Sequence, residues 1–227
     1  MTTQDTEKAD AARKSLEYVK DGMVVGLGSG TTATFAIQFL GQRVREGLQI
    51  RGIPTSRATE SLARSLNIPI ITFEDAPYID VTIDGADEVG PGLTLIKGGG
   101  GALLHEKIVA AASRVLIIVA DEHKVVQRLG RFPLPVEVIP FAASPVRQQL
   151  EKIGAHPVLR AGHDGAPYLT DEGNFIFDCH YGVIDDPSAV AHSIKTMTGV
   201  VEHGLFLGLA TIAIVAGPEG AKVMSRE

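Results

Sequence analysis

Met23-Val24-Val25-Gly26-Leu27-Gly28-Ser29-Gly30-Thr31-Thr32-Ala33-Thr34-Phe35-Ala36-Ile37 decides the architecture. Its first five residues form a short apolar run that stops in Gly28-Ser29-Gly30, which reads as a strand closed by a glycine loop. Thr31 or Thr32 can cap the helix that follows, whose face is Ala33, Ala36, Ile37, Leu40 and Val44. Residues 48–54 then return as a strand, completing a βαβ unit. Upstream, Ala9, Ala12, Leu16 and Val19 recur at helical spacing. Downstream come a helix through Leu62 and Leu66, a strand near residues 69–72, and strands ending at Ile83 and Lys97. A helix from Ala102 and a strand over 115–120 follow. Strands that alternate with helices predict a parallel sheet with helices on both faces, and ligands at the strands' carboxyl ends.

The order changes at Arg131-Phe132-Pro133-Leu134-Pro135. A strand over 136–139 is followed by a helix started by Ser144-Pro145 and ended by Gly154. Residues 158–160, 168–170 and 175–179 read as strands joined by glycine turns, and 188–197 as a helix. The fold class expected is α/β: a Rossmann-like sheet over 1–131 and 204–227, with an inserted α+β, ferredoxin-like domain over 132–203. The apolar segment 205–217 reads as the buried last strand of the main sheet, since about twenty residues are needed to span a membrane as a helix.

An apolar share of 44% with 21% charged residues implies a packed globular chain. A net charge of −6 gives no basic footprint, so neither nucleic acid nor a membrane surface is the expected partner. Residues 1–10 lack the cationic start and apolar stretch of a secretory signal. Cys179 is the single cysteine, which excludes an internal disulfide, reads as a small core hydrophobe and suits a reducing cytoplasm.

Four clusters carry the chemistry. The loop at residues 26–32 pairs glycines with hydroxyls and helix-start N–H groups, a setting for a phosphate. A dinucleotide site is the competing reading, opposed by Thr31 at the third fingerprint glycine and by Pro54-Thr55-Ser56-Arg57 where an acidic residue would stand. Asp84-Gly85-Ala86-Asp87-Glu88 places three carboxylates after an apolar strand. They suit acid–base work, a magnesium site or a solvated turn, with no nearby histidine to complete a metal shell. Lys97 precedes Gly98-Gly99-Gly100-Gly101, a lysine followed by four residues whose N–H groups can wrap a ligand. Glu106 lies near a helix start, where the dipole favours its ionised form; Leu104 and Ile108 form the expected core face, with Glu106 off it. Lys124, after the strand over 115–120, reaches the same sheet edge.

In that order, Gly-Ser-Gly-Thr-Thr at 28–32, Asp-Gly-Ala-Asp-Glu at 84–88, Lys-Gly-Gly-Gly at 97–100 and Glu-Lys-Ile at 106–108 resemble the type A ribose-5-phosphate isomerases. The likeness extends through residues 132–140, Gly199-Val200-Val201 and Gly204-Leu205-Phe206. It implies interconversion of ribose 5-phosphate and ribulose 5-phosphate through an enediol, in the non-oxidative pentose phosphate pathway, without metal or cofactor, in a cytoplasmic homodimer. It makes Glu106 the general base, and Asp84, Lys97 and Asp87 its catalytic partners. Ser29, Gly30, Thr31, Thr32, Asp84, Gly85, Ala86, Asp87, Lys97, Gly98, Gly99, Gly100 and Lys124 become substrate contacts. This chain departs from the family pattern in Ser29-Gly30-Thr31-Thr32, in the fourth glycine, Gly101, and in Leu104-His105 before the base. The rival of another class is a sugar-phosphate sensor of the same fold family, opposed by the presence of Glu106, Lys97 and Asp84 together. A deaminase of amino-sugar phosphates or a coenzyme A transferase is the other alternative. His180-Tyr181-Gly182 has no role that the sequence reveals.

Overall fold

The computed structural model describes residues 2–226. Helix α1 (Thr3–Ser15) opens with a reciprocal capping box between Thr2 and Asp5, six residues before the apolar spacing at Ala9 begins. Strand β1 (Val24–Leu27) is followed by α2 (Thr31–Arg45), β2 (Arg51–Pro54), α3 (Arg57–Ser65) and β3 (Ile79–Asp84). Next come β4 (Glu88–Val89), β5 (Leu95–Ile96), α4 (Leu103–Ala111), β6 (Ser113–Asp121), β7 (Leu134–Val138) and α5 (Ala143–Lys152). The chain ends with β8 (Pro157–Leu159), β9 (Phe175–Cys179), α6 (Pro187–Lys195), β10 (Val200–His203), β11 (Leu205–Phe206), β12 (Ile212–Gly217) and β13 (Gly220–Ser225).

These elements form two compact units. The first takes the chain through Ala86, then His105–Val125 and the residues from Gly208. Its sheet runs β13-β12-β6-β3-β1-β2, with five parallel strands and β13 antiparallel at one edge. Strand residues fill two layers. Val25, Leu27, Val81, Ile83, Ile117 and Val119 pack with Ala36, Ile37 and Leu40 of α2, while Val24, Ile53 and Ile79 pack with Val109 of α4. Each such fully buried aliphatic side chain contributes roughly 1.5–3 kcal/mol relative to exposure.

Two expected strands of this sheet differ. Residues 69–72 make a single bridge, Gly52 to Ile70, because Pro69 has no N–H to extend a ladder and the Thr72 N–H turns onto Asp75. The segment 205–217 is divided by a reversal at Gly208: β12 joins the main sheet, whereas β11 pairs with β5.

The second unit comprises Asp87–Leu104 and Val126–Leu207. Its elements β7-α5-β8-β9-α6-β10 form an antiparallel sheet of order β10-β7-β9-β8, the ferredoxin-like arrangement expected. Leu134, Val136, Val138, Val146, Leu150, Phe177 and Cys179 make its core, and burial pushes the Cys179 thiol up to about 12, so the cysteine is a packing group. Residues 168–170 are not a strand; their N–H groups close turns onto Arg160 and Asn174. A second sheet, β11-β5-β4, explains why this unit takes in residues 87–104 beyond the expected 132–203: β5 pairs with β4 on one side and with β11 on the other, not with the parallel sheet. Helix α5 begins without a side-chain cap, at Ala142 instead of Ser144, and α6 is capped by Asp186 with Pro187 at its first turn. Among the described residues no helix is long and apolar enough to cross a membrane.

Candidate active site

In the first unit, β1 leads to β2 on one side and β3 lies on the other, so the chain reverses direction of winding between β1 and β3. Loops at the carboxyl ends of such a pair border the ligand crevice of an open parallel sheet. Here they are residues 28–30 and 84–86. The Ser29 N–H donates to Asp84 Oδ1 at 3.1 Å, and the Gly28 N–H to the Ile83 carbonyl at 3.0 Å. Asp84 is fully buried and its Oδ1 also accepts from the Gly85 N–H.

Helix α2 starts at Thr31 with Gly30 as its N-cap at φ 91°, a left-handed conformation suited to glycine, and no side chain caps it. The first-turn N–H groups of Thr31, Thr32 and Ala33 therefore lack an acceptor within the helix and carry its positive end, which suits a phosphate. The threonine cap expected at residue 31 or 32 is absent because both residues are already helical. The Ser29 hydroxyl sits in a cluster with Thr55 (2.8 Å), Ser56 (2.8 Å) and Thr59 (3.2 Å), and Thr59 donates onward to the Gly28 carbonyl. These three hydroxyl residues, just past the carboxyl end of β2, brace the loop. Their signal in the sequence was Thr55-Ser56 standing where a dinucleotide site would have its acid.

Gly28 cannot bear a side chain, since a Cβ there would lie 2.5 Å from the Asp84 Cα, backbone that no rotamer change moves. Gly28→Ala is expected to cost about 1–3 kcal/mol, lowering Tm by several degrees. In contrast, Gly100→Ala, where a Cβ meets nothing within 4 Å, should leave Tm nearly unchanged. Thermal unfolding of the two variants checks this pair.

Helix α4 presents Glu106 in its first turn, only 4% exposed. The buried stripe is Leu103, Glu106, Val109 and Ala110, at spacings of three and four; Ile108 is 47% exposed and Leu104 half-buried. The helix is thus turned by about one residue from the expected face, and Glu106 lies on the buried side instead of off it. His105 and Ile108 border a separate, largely apolar cavity of about 400 Å³ with Ile53 and Phe73. Lys124 ends a single helical turn, Glu122–Lys124, directly after β6 and is half-buried.

In the second unit, Lys97 follows β5 and is 2% exposed, its Nζ 5.5 Å from the centre of the Phe206 ring and its N–H on the Gly204 carbonyl. It stands at a strand end as expected, but on the small sheet. Asp87 Oδ2 accepts from the Gly99 N–H at 2.7 Å, tying the acidic cluster to the glycine loop. Both oxygens of the buried Glu88 are occupied by backbone donors, Gly130 N–H and Phe132 N–H, each at 2.7 Å. Glu88 is therefore a structural anchor for residues 130–132. Among the described residues no three histidine, cysteine or acidic side chains form a group able to hold a metal ion. Tyr181 packs against the core of this unit, and burial raises its phenol above the ordinary range, which gives that segment a structural part.

The first unit thus gathers Ser29, Gly30, Thr31 and Thr32 with Asp84 and Gly85, and also supplies Ala86, Glu106 and Lys124. The second gathers Lys97, Gly98, Gly99 and Gly100 with Asp87. The chain passes from one unit to the other within the acidic motif, after Ala86, and just before the Glu106 motif, after Leu104.

The model of the family described as ribose 5-phosphate isomerase A (phosphoriboisomerase A) matches residues 51–220. A ribose-5-phosphate isomerase A of Nitrobacter hamburgensis is 52% identical over 230 residues, covering 99% of each chain. Among solved structures, a D-ribose-5-phosphate isomerase in complex with phospho-erythronic acid superposes with a TM-score of 0.96 at 40% identity, covering 99% of this chain and 100% of that one. The ribose 5-phosphate isomerase A of Neisseria gonorrhoeae gives 0.93 at 42%, covering 100% and 99%. A glycine loop at a parallel-sheet switch point, a buried first-turn glutamate and a likeness that runs end to end agree on one conclusion: the chain belongs to the ribose 5-phosphate isomerase A family.

Proposed function

We propose that this enzyme interconverts ribose 5-phosphate and ribulose 5-phosphate with Glu106 as the base that carries a proton between C2 and C1. The observation that supports it most is a carboxylate on the buried stripe of α4, in the first turn, where the helix dipole and exclusion of water act on it together. Removal of the C2 proton from the open aldose leaves an enediolate. Return of that proton to C1 gives the ketose, so a single base suffices and the reaction needs no nicotinamide.

Lys97 and the N–H groups of Gly98 and Gly100 supply the positive charge and donors that the oxygen at C1 requires as it becomes anionic. Asp84, fixed by Ser29 and Gly85, moves a hydroxyl proton or assists ring opening. Asp87 holds the glycine loop through Gly99. The phosphate fits residues 29–32 and the start of α2, with Lys124 as a further phosphate or hydroxyl partner. The sensor reading is not favoured, because relatives matched over the whole chain are named as isomerases.

The proposal includes action in the cytoplasm, as a step of the non-oxidative pentose phosphate pathway, and a buried, unpaired cysteine that suits a reducing compartment supports the location. A homodimer is supported by Val223 and Met224, which are exposed on the edge strand β13 and would be covered by a second copy; sedimentation at micromolar concentration tests that. The reaction itself is tested by a coupled assay with ribose 5-phosphate. Activity should be unchanged by a chelator, since Oδ2 of Asp87 and both oxygens of Glu88 already accept backbone N–H groups. Loss of activity in chelator, restored by magnesium, would return those carboxylates to a metal site.

A further inference from the structure

The second unit contains a side-chain cluster that neither the base nor its charge partners explain. Arg160 is only 14% exposed, and each of its three guanidinium nitrogens donates. Nε donates to Asp178 Oδ2 at 2.9 Å and Nη2 to Asp178 Oδ1, a two-point fork. Nη1 donates to two successive backbone carbonyls, Gly98 and Gly99, each at 3.1 Å. The guanidinium lies 5.8 Å from the centre of the Tyr168 ring, and the Tyr168 hydroxyl reaches the Gly100 carbonyl at 3.5 Å. That ring fills the space a Cβ at residue 101 would need. Arg160 and Tyr168 are held in turn, by Tyr168 N–H to Arg160 carbonyl and Arg160 N–H to Ile176 carbonyl.

An arginine that only joined two strands would need Asp178 alone. Here the same group also holds carbonyls of a loop with four consecutive glycines, the stretch of this chain with the most conformational freedom to lose. In a planar peptide the carbonyl of one residue fixes the direction of the next residue's N–H. The Gly98 carbonyl therefore fixes the Gly99 N–H, which Asp87 accepts, and the Gly101 N–H closes onto the Gly98 carbonyl. The Gly99 carbonyl fixes the Gly100 N–H, which has no acceptor among the described residues.

We propose that Arg160, oriented by Asp178 and backed by Tyr168, is a positioning residue for the isomerisation: by holding the Gly98 and Gly99 carbonyls it aims the Gly100 N–H at a substrate oxygen. This rests on the assignment of the glycine loop to substrate made above. A lysine cannot reproduce the role, because a point charge does not span two carboxylate oxygens and two carbonyls at once.

The test compares wild type with Arg160→Lys, Arg160→Gln, Asp178→Asn and Tyr168→Phe, each checked for folding by circular dichroism. Both Arg160 variants should lose about 10- to 100-fold in kcat, as expected for a misaimed donor, with KM changed less than threefold. Asp178→Asn should lose a comparable amount, and the double variant with Arg160→Gln no more than the worse single one. Tyr168→Phe, which gives up one long hydrogen bond, should lose less than threefold. A further variant, Arg160→Ala, should regain part of its activity in millimolar ethylguanidinium, which a folding defect would not allow. Amide exchange at Gly99 and Gly101, read by NMR without substrate, should quicken at least tenfold in Arg160→Gln while the amides of β7 and β9 stay protected. A kcat within twofold of wild type in Arg160→Gln, or a loss that matches its unfolded fraction, overturns the proposal. So does unchanged exchange at Gly99 and Gly101. Wild type that fails to isomerise ribose 5-phosphate would instead overturn the substrate assignment, while the exchange measurement still decides whether Arg160 holds the loop.

Discussion

Glu106→Gln should lower kcat by about 10³-fold, within the range that a general base contributes, and leave ribose 5-phosphate binding within a few-fold of wild type. The amide keeps the side chain's length and shape, so the stripe of Leu103, Val109 and Ala110 beside it stays packed. What changes is the charge and one acceptor oxygen, and with them the capacity that the proposed base needs to take a proton from carbon. Stopped-assay kinetics with an independent binding titration separate the two quantities, and a fall in affinity that parallels the fall in rate would mark residue 106 as a binding group.

Lys97→Met should follow at about 10²- to 10³-fold in kcat, the loss typical for one stabilising group removed from a developing oxyanion. Stability should change less than activity. Methionine keeps the N–H on the Gly204 carbonyl, and an apolar side chain of similar length removes the desolvation cost of a buried ammonium while giving up the contacts that the ammonium makes. The contact with the Phe206 ring opposes that gain by about 1–2 kcal/mol for a desolvated cation. Kinetics and thermal unfolding on the same sample decide it: an active Lys97→Met enzyme removes the lysine from the chemistry, and an inactive one with a collapsed Tm assigns it to folding.

Much of this was legible in the chain because the deciding signals are local. The run at residues 23–27, its glycine stop and the helical spacing of Ala33, Ala36, Ile37 and Leu40 each report a period that backbone geometry enforces, and the structure places β1 and α2 on them. Helix α4 was harder. Leu103, Leu104, Ile108, Val109, Ala110 and Ala111 put apolar residues around most of its circumference, so spacing alone does not choose between the faces. Packing of Val109 with Val24, Ile53 and Ile79 makes that choice and brings Glu106 to the buried side. The two-residue strand β5 reads like any buried apolar run; one of its two partners, β11, lies more than a hundred residues away in the chain. The Arg160 contacts left no trace in the sequence, since a guanidinium on backbone carbonyls needs no particular residue type opposite it. Thr55, Ser56 and Thr59 had a signal, hydroxyls at a strand's carboxyl end, whose meaning depends on Ser29 reaching them.

Isomerisation of ribose 5-phosphate in deuterium oxide, followed by NMR at C1 and C2, tests the central claim most directly. Wild type should place solvent deuterium on C1 of the ribulose 5-phosphate formed, as a carboxylate that lifts a proton from C2 exchanges part of it before returning it. Glu106→Gln should bind the substrate and leave its C2 hydrogen in place for the length of the experiment. Exchange by Glu106→Gln at the wild-type rate, or transfer by wild type with no deuterium gained, would contradict the account.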